Sequence, residues 1–203
     1  MHRKAVNHLR RVDPVMADII ARVGTCRFKA VEEMTHFEAV VRSIIYQQLS
    51  GKAAATIHGR VAALFEGGKP NAQALALLAD EPLRSAGVSS QKLRYLRDLT
   101  GRVVAKELPI DELHRLGDDE ILRHLTSIKG VGKWTAQMFL MFRLGRPDIL
   151  PDGDLGIQKA VQKAYRLRKL PPPARVLAIG AKWAPYRTIA SWYLWRSIDG
   201  DAA

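Results

Sequence analysis

The chain has 203 residues, of which 47% are apolar, and it carries 32 Lys and Arg against 20 Asp and Glu, a net charge of +12. This length fits one domain or two small lobes with a shared core, and the positive charge favours a polyanionic partner such as nucleic acid over a merely solvated basic surface. The single cysteine, Cys26, excludes a disulfide framework and a cysteine-built zinc or iron–sulfur site. We expect no signal peptide, because the first residues lack an apolar run, and no run of about 18 apolar residues predicts a membrane span.

The first clear helical pattern begins at Thr35, where the residues THFE fit a capping box. Apolar residues then recur with a period of about 3.6 across 37–45, and the same period predicts an apolar residue at position 48. Gln48 stands there instead, and a Ser-Gly pair follows shortly after it. Residues 47–49 are therefore predicted to form a turn between two helices.

Further helical patterns follow in close succession, separated by Gly, Pro or capping residues, while strand patterns are missing. The chain is therefore predicted to be all-α, with about ten helices and no internal repeat. After the turn at 47–49, the predicted helices cover about 53–65, 72–79, 90–105, 118–126, 133–144, 154–164, 174–183 and 186–198.

A glycine-rich stretch, KGVGKW, lies between the helices predicted at 118–126 and 133–144. Two glycines two residues apart predict a tight turn, since glycine reaches positive φ without steric cost. The N–H groups and the dipole of the following helix favour an anion such as phosphate. With flanking lysines and a basic chain, the stretch predicts a DNA-binding helix–hairpin–helix rather than an ordinary turn. The predicted phosphate-binding residues are Lys129, Gly130, Val131, Gly132 and Lys133.

An aspartate pattern, LPDGD, precedes the helix predicted near Asp154. Taken alone, an aspartate at a helix start is most often only an N-cap. Asp154 follows the glycine-rich stretch by about twenty residues, however, and an ionised carboxylate beside DNA is electrostatically costly. Asp154 is therefore singled out as a residue whose role goes beyond capping a helix.

Aromatic residues concentrate in the stretch WAPYRTIASWYLW, and another, Trp134, directly follows the hairpin. Amphipathic helices bury such side chains, so at least half of these aromatics are predicted to belong to the core. Trp134 lies in the first turn of a predicted helix, with Met138 and Met141 at helical spacing behind it. Trp134 is therefore less readily assigned to the core than the other aromatics are.

Four stretches in this order resemble the helix–hairpin–helix DNA glycosylase superfamily, in particular its 3-methyladenine DNA glycosylase II, or alkylated-base, branch. They are SIIYQQLSGKAA, IKGVGKWTAQMFLMF, LPDGDLGIQKAV and WAPYRTIASWYLW, and the resemblance extends over nearly the whole chain. It implies two helical lobes with the active-site cleft between them, in a minimal form lacking the N-terminal α/β domain of larger members. One lobe would combine 1–34 with about 146–203, and the other, 35–145, would end in the helix–hairpin–helix at about 118–144.

The resemblance assigns roles to individual residues. Asp154 matches the catalytic aspartate of the family, and Trp134 and Trp195 match aromatics that line the base pocket. Met138 stands where a member has a tyrosine, which implies a less aromatic pocket. Gln48 falls where members place the wedge that fills the gap left by a flipped base, with Leu49 as the alternative wedge.

The resemblance also bears on cofactors. Members can hold a monovalent cation through main-chain carbonyls of the hairpin, which here would be those of Thr126, Ile128 and Val131. Na⁺ or K⁺ would be structural, and no cofactor is expected to be required. One cysteine cannot supply the four-cysteine loop of the iron–sulfur branches. Strand-cutting branches use a lysine nucleophile at the position of Trp134, so this chain is expected to leave the strand intact.

The sequence therefore predicts a monofunctional DNA glycosylase that excises alkylated bases, of the 3-methyladenine and 7-methylguanine type, in base excision repair. Its expected partner is damaged double-stranded DNA, without a membrane, and the protein is expected to be monomeric. We expect a reducing compartment, the cytoplasm in a bacterium or the nucleus in a eukaryote. Two alternatives remain: a non-catalytic helix–hairpin–helix DNA-binding module, and a glycosylase for uracil, hypoxanthine or etheno-adenine.

Overall fold

The computed structural model of the protein describes residues 2–31 and 33–199. Within these ranges the chain is all-α, as predicted, and contains no β-strand. No helix in the described ranges combines the length and the apolar character needed to cross a membrane. In chain order, helices α1 to α12 are Arg3–Val12, Pro14–Val23, His36–Tyr46, Gly51–Ala62, Ala72–Leu77, Asp80–Ser85, Ser90–Val104, Asp118–Thr126, Lys133–Met138, Leu155–Ala164, Pro173–Gly180 and Arg187–Ile198.

Several helix ends differ from the predicted ones. The helix predicted over 133–144 is α-helical only as far as Met138 and continues as a π-helical turn, Phe139–Arg143. The helix predicted over 174–183 ends at Gly180 and is followed by a short 3₁₀ turn. The apolar periods of α, 3₁₀ and π turns are too similar over a few residues for sequence to distinguish them.

Contacts divide the chain into two units. The first unit joins the N-terminal segment through Ala30 to the segment that starts at Leu140, and the second is Val31–Phe139. In the first unit, helices α2, α10 and α12 pack together, and their inward side chains are buried. They include Met16, Ile19 and Tyr193.

A buried aspartate joins distant segments of the first unit. Asp13 is fully buried, caps α2 through the Val15 N–H at 3.0 Å and accepts hydrogen bonds from Trp183 Nε1 at 2.8 Å and from the Tyr165 hydroxyl. Lys182 Nζ lies 3.1 Å away. Burial acts to raise the pKa of Asp13, but these donors outweigh it and hold the pKa below its usual value. The carboxylate therefore connects the α1–α2 junction to the chain around α11.

The second unit is built around α3 and α7. The capping box predicted at Thr35 is present: Thr35 Oγ1 accepts the Glu38 N–H at 3.1 Å, and a Glu38 carboxylate oxygen accepts the Thr35 N–H at 2.5 Å. The predicted apolar stripe of α3, including Phe37 and Ile44, is buried. Helix α7 packs against both α3 and α5, so it lies at the centre of this unit.

Candidate active site

The turn predicted at 47–49 joins α3, which ends at Tyr46, to α4, which begins at Gly51. Gln48 has a φ of 54°, a left-handed conformation that costs a residue with a side chain about 1–2 kcal/mol. The side chains of Gln48 and Leu49, the two candidate wedges, are both exposed. Position 48 departs from the apolar stripe because the chain has already left the helix there.

The glycine-rich stretch is a turn between two helices, as predicted, since α8 ends at Thr126 and α9 begins at Lys133. Gly130 has a φ of 78°, and a Cβ there would stand 2.2 Å from the ring of Tyr95. Gly132 instead has a φ of −89° and caps α9, with open space around the position of a Cβ. Only Gly130 therefore requires the conformational freedom and the missing side chain of glycine.

The predicted phosphate-binding residues are exposed, except for Val131, whose exposed fraction is 5%. The Val131 N–H donates to the Ile128 carbonyl at 3.0 Å, and both side chains are buried under the turn. Val131 therefore has neither an exposed side chain nor an uncommitted N–H to offer a phosphate. The exposed members of the set are Lys129, Gly130, Gly132 and Lys133.

Helix α7 supports the hairpin through Asp98, which the sequence analysis did not single out. Asp98 Oδ2 accepts the Lys129 backbone N–H at 2.9 Å and the Arg102 Nε–H at 2.9 Å. Burial acts to raise the pKa of Asp98, but the Lys129 N–H and the Arg102 guanidinium outweigh it and hold the pKa below its usual value. Asp98 and Lys129 are 31 residues apart, so no local pattern indicates the contact.

A second support that sequence missed is Gln47. Its Nε2 donates a hydrogen bond to the Gly130 carbonyl at 2.8 Å, over a separation of 83 residues. The residue directly before the candidate wedge Gln48 thus contacts the tip of the hairpin. The wedge turn, residues 47–49, and the hairpin therefore lie side by side within the second unit.

The aromatic side chains divide into buried and exposed ones. Trp183 and Tyr193 are fully buried, as expected for core residues. Trp134 exposes 49% of its surface, which is unusual for so large an apolar side chain. It lies four residues before the half-buried Met138 on α9, so both side chains project from one face of the helix.

Asp154 is the N-cap of α10, as the simpler interpretation expected. Its Oδ1 accepts the Ile157 N–H at 2.8 Å. The same oxygen also accepts the Trp195 Nε1–H at 2.8 Å, from a residue 41 positions further along the chain. Capping alone does not require this second donor, which orients the carboxylate from α12.

The surroundings of Asp154 leave little room for movement. A Cβ at Gly156 would stand 3.0 Å from Asp154 Oδ1 and 3.1 Å from Trp195 Cδ1, so a glycine permits the close approach of the two side chains. The ring of Trp195 stacks on Phe142, with centroids 6.0 Å apart and planes 26° apart. The structure thus brings together two predicted site residues, Asp154 and Trp195, and adds Gly156 and Phe142 to them.

Comparisons with known proteins agree with these features. The family model described as HhH-GPD superfamily base excision DNA repair protein matches residues 41–185, a range that includes the wedge turn, the hairpin and Asp154. DNA-3-methyladenine glycosylase 1 of Schizosaccharomyces pombe is 33% identical over 197 residues, which cover 96% of this chain and 86% of the relative.

Two solved structures have the same fold. The 3-methyladenine DNA glycosylase of Schizosaccharomyces pombe in complex with abasic DNA matches with a TM-score of 0.83 and 32% identity, over 96% of each chain. The DNA-3-methyladenine glycosidase of Bacillus halodurans matches with a TM-score of 0.87 and 36% identity, over 98% of this chain and 90% of that one. The chain therefore belongs to the HhH-GPD superfamily of base excision DNA repair proteins.

Proposed function

We propose that the protein is a monofunctional DNA glycosylase that flips alkylated bases out of duplex DNA and hydrolyses their N-glycosidic bond in base excision repair. Relatives over most of the chain are named 3-methyladenine DNA glycosylases, and one of them is seen with abasic DNA. The observation that carries the proposal is the carboxylate of Asp154, which is oriented by both the Ile157 N–H and the Trp195 indole.

Asp154 would act on the sugar of the flipped nucleotide. The C–N bond breaks through an oxocarbenium-like transition state, and the departing base takes the electron pair. A carboxylate oxygen beside the positive sugar stabilises this state. Water then forms the new C–O bond and loses its proton to Asp154 or to solvent, which leaves an abasic site and a free base.

The base itself explains why no protonating acid is needed. Bases such as 3-methyladenine and 7-methylguanine carry a positive charge and leave as neutral molecules. The exposed indole of Trp134, beside Met138 on α9, offers a π-face that gains about 0.5–2 kcal/mol from a cation. Such a modest preference suits an enzyme of broad specificity for alkylated bases.

The hairpin and the wedge turn would hold the damaged duplex. The exposed side chains of Lys129 and Lys133 suit phosphates on either side of the lesion, whereas the N–H groups of Lys129 and Val131 already donate to Asp98 and to the Ile128 carbonyl. Gln48 or Leu49 would enter the gap that the flipped nucleotide leaves. Strand cleavage would need an amine where Trp134 stands, and Lys133 projects about 100° away around the helix.

A structural Na⁺ or K⁺ at the hairpin belongs to the same proposal. Residues 2–31 and 33–199 contain no cluster of Asp, Glu, His and Cys side chains that could hold a metal ion. The ligands of the cation at the hairpin would be main-chain carbonyl oxygens. Thr126 ends α8, where carbonyl oxygens carry partial negative charge, and the Ile128 carbonyl accepts the Val131 N–H, within the same turn. Neutral oxygens of this kind suit a monovalent cation, which would add positive charge near a DNA phosphate.

Substitution of Asp154 by Asn tests the proposal. Asn keeps an oxygen acceptor for both the Ile157 and Trp195 donors but removes the negative charge. We expect the release of bases from methylated DNA, measured by chromatography, to fall by at least about 100-fold, with DNA affinity unchanged or higher. Asp18→Asn removes the same charge from an exposed position in α2 and should retain activity.

The same assay separates the alternatives. A panel of duplexes with methylated, uracil, hypoxanthine and etheno-adenine lesions shows which base is released, and a non-catalytic DNA-binding module would release none. Borohydride should trap no covalent adduct, and the abasic product should stay uncut until alkali is added. Near-normal turnover by folded Asp154→Asn would leave Asp154 as a cap only, and a trapped adduct lost on Lys133→Ala would contradict a monofunctional mechanism.

A further inference from the structure

Among the contacts described above, the side chain of Gln47 makes the one hydrogen bond between the wedge turn and the hairpin. Its Nε2 donates to the Gly130 carbonyl at 2.8 Å, and Gly130 is the residue whose left-handed φ of 78° forms the tip. Gln47 is half-buried, while Gln48 beside it is exposed. The side chain of Gln47 is thus directed at the hairpin and not at the open surface where the candidate wedges lie.

Helix α7 contacts both the end of α3 and the hairpin. Lys92 Nζ donates to the Ile45 carbonyl at 2.7 Å, just before the wedge turn. Three residues later the ring of Tyr95 lies against Gly130, and three further on Asp98 accepts the Lys129 N–H at 2.9 Å. Residues at this spacing share one side of a helix, so a single face of α7 contacts the end of α3 and the hairpin.

Ordinary helix capping explains part of this arrangement. Lys92 satisfies a carbonyl near the end of α3, and such terminal groups commonly take side-chain partners. Gln47 is different, because its side-chain N–H does not cap α3. It donates instead to the carbonyl of Gly130, which lies 83 residues further along the chain. That contact ties the position of the wedge turn to the conformation of the hairpin.

We propose that Gln47 is a positioning residue that couples the wedge turn to the phosphate-binding hairpin, with α7 as the common support. When the hairpin binds phosphates, the position of Gln48 and Leu49 relative to the gap in the duplex is then fixed. Without the Gln47 hydrogen bond the hairpin still binds phosphates, but the wedge is no longer held against the gap. This inference rests on the proposed function, because it requires a flipped nucleotide to be stabilised.

The test compares Gln47→Met, which keeps the length of the side chain and removes the donor, with Gln73→Met, an exposed glutamine on α5 in the same unit. Affinities are measured for an undamaged duplex and for one that carries an abasic-site analogue. Gln47→Met should lower the preference for the abasic duplex by about tenfold, with little change for undamaged DNA. Gln73→Met should behave as the wild type does.

A double-mutant cycle distinguishes coupling from general support of the fold. In a background where Gln48 and Leu49 are both alanine, Gln47→Met should change the preference by less than about twofold, because no wedge remains to be positioned. Equal loss on both duplexes, or an undiminished loss in the background without a wedge, would overturn the proposal. Gln47→Asn, whose carboxamide is one methylene shorter, provides the same test if the methionine variant does not fold.

The two proposals fail in different ways. Binding to an abasic-site analogue requires no bond cleavage, so a protein that released no base would refute the glycosylase activity and leave the binding comparison valid. A wild-type protein that releases bases but shows no effect of Gln47→Met on the abasic preference would refute only the role of Gln47.

Discussion

Gly130 illustrates how one residue can meet two separate demands. Its φ of 78° is unfavourable for residues with a side chain. A Cβ would also stand 2.2 Å from the ring of Tyr95, which is too close for two non-bonded atoms. The ring of Tyr95 is itself held by Gln91, whose Nε2 donates to the Tyr95 hydroxyl at 2.6 Å. The hairpin tip therefore lies directly on α7, and glycine makes that approach possible.

We expect Gly130→Ala to lower both stability and DNA affinity. The left-handed backbone costs about 1–2 kcal/mol, and the clash with Tyr95 adds about 1–3 kcal/mol unless the hairpin shifts. Thermal unfolding gives the stability, and fluorescence anisotropy with a labelled duplex gives the affinity. Gly132→Ala is the matched control for stability, because its φ of −89° and open surroundings accept a methyl group. Equal melting temperatures for the two variants would contradict this explanation.

At the scale of elements, the pairing of α10 with α12 determines where the Asp154 carboxylate lies. Helix α10 supplies the cap geometry, and α12 supplies Trp195, whose indole N–H binds the same oxygen. Phe142, from the π-helical turn that follows α9, stacks on the ring of Trp195. A π-helical turn changes the directions of side chains relative to a regular helix, and such turns are frequent at functional sites.

We expect Trp195→Phe to reduce kcat about fivefold with little change in KM. Phenylalanine keeps a ring against Phe142 but lacks the N–H that orients Asp154, and the loss of one such hydrogen bond is worth about 1 kcal/mol. Steady-state kinetics on methylated DNA measure both constants. Trp192→Phe, on the same helix and half-buried, is the control. A rise in KM alone, larger for cationic than for neutral bases, would instead assign Trp195 to contact with the base.

At the scale of the whole molecule, the net charge of +12 favours binding to the negatively charged DNA backbone. The exposed lysines of the hairpin are proposed to bind phosphates, and such contacts carry no information about base sequence. Affinity for undamaged duplexes should therefore depend on salt and hardly on sequence.

We expect log K to fall with log salt at a slope between about −3 and −6, since each neutralised phosphate contributes roughly −0.9. Titrations at several salt concentrations, with duplexes of equal length and permuted sequence, give the slope and the sequence dependence together. Lys129→Ala should make the slope shallower by about 0.9, the contribution of one phosphate. A slope near zero, or a strong preference for one undamaged sequence, would be incompatible with anchoring by phosphates.

Local sequence was sufficient for much of the fold. The capping box at Thr35 and the cap at Asp154 depend on residues within four positions of one another, and short local patterns indicated the turns at 47–49 and around Gly130. Helix α6 was missed because it is only six residues long and has Pro82 as its third residue. Helices α1 and α2 were not predicted either, although Asp13 before Pro14 is a typical helix start.

The contacts that define the candidate site were decided by the tertiary structure. Trp195 reaches Asp154 over 41 residues, Asp98 reaches Lys129 over 31, and Gln47 reaches Gly130 over 83. Sequence by itself determined the residue types, the helices that carry them and, through motifs, the superfamily. The hydrogen-bond partner of each polar atom depends on how the helices pack. A helix fixes the direction in which a side chain points, but only the packing of a second helix against it places a partner in that direction.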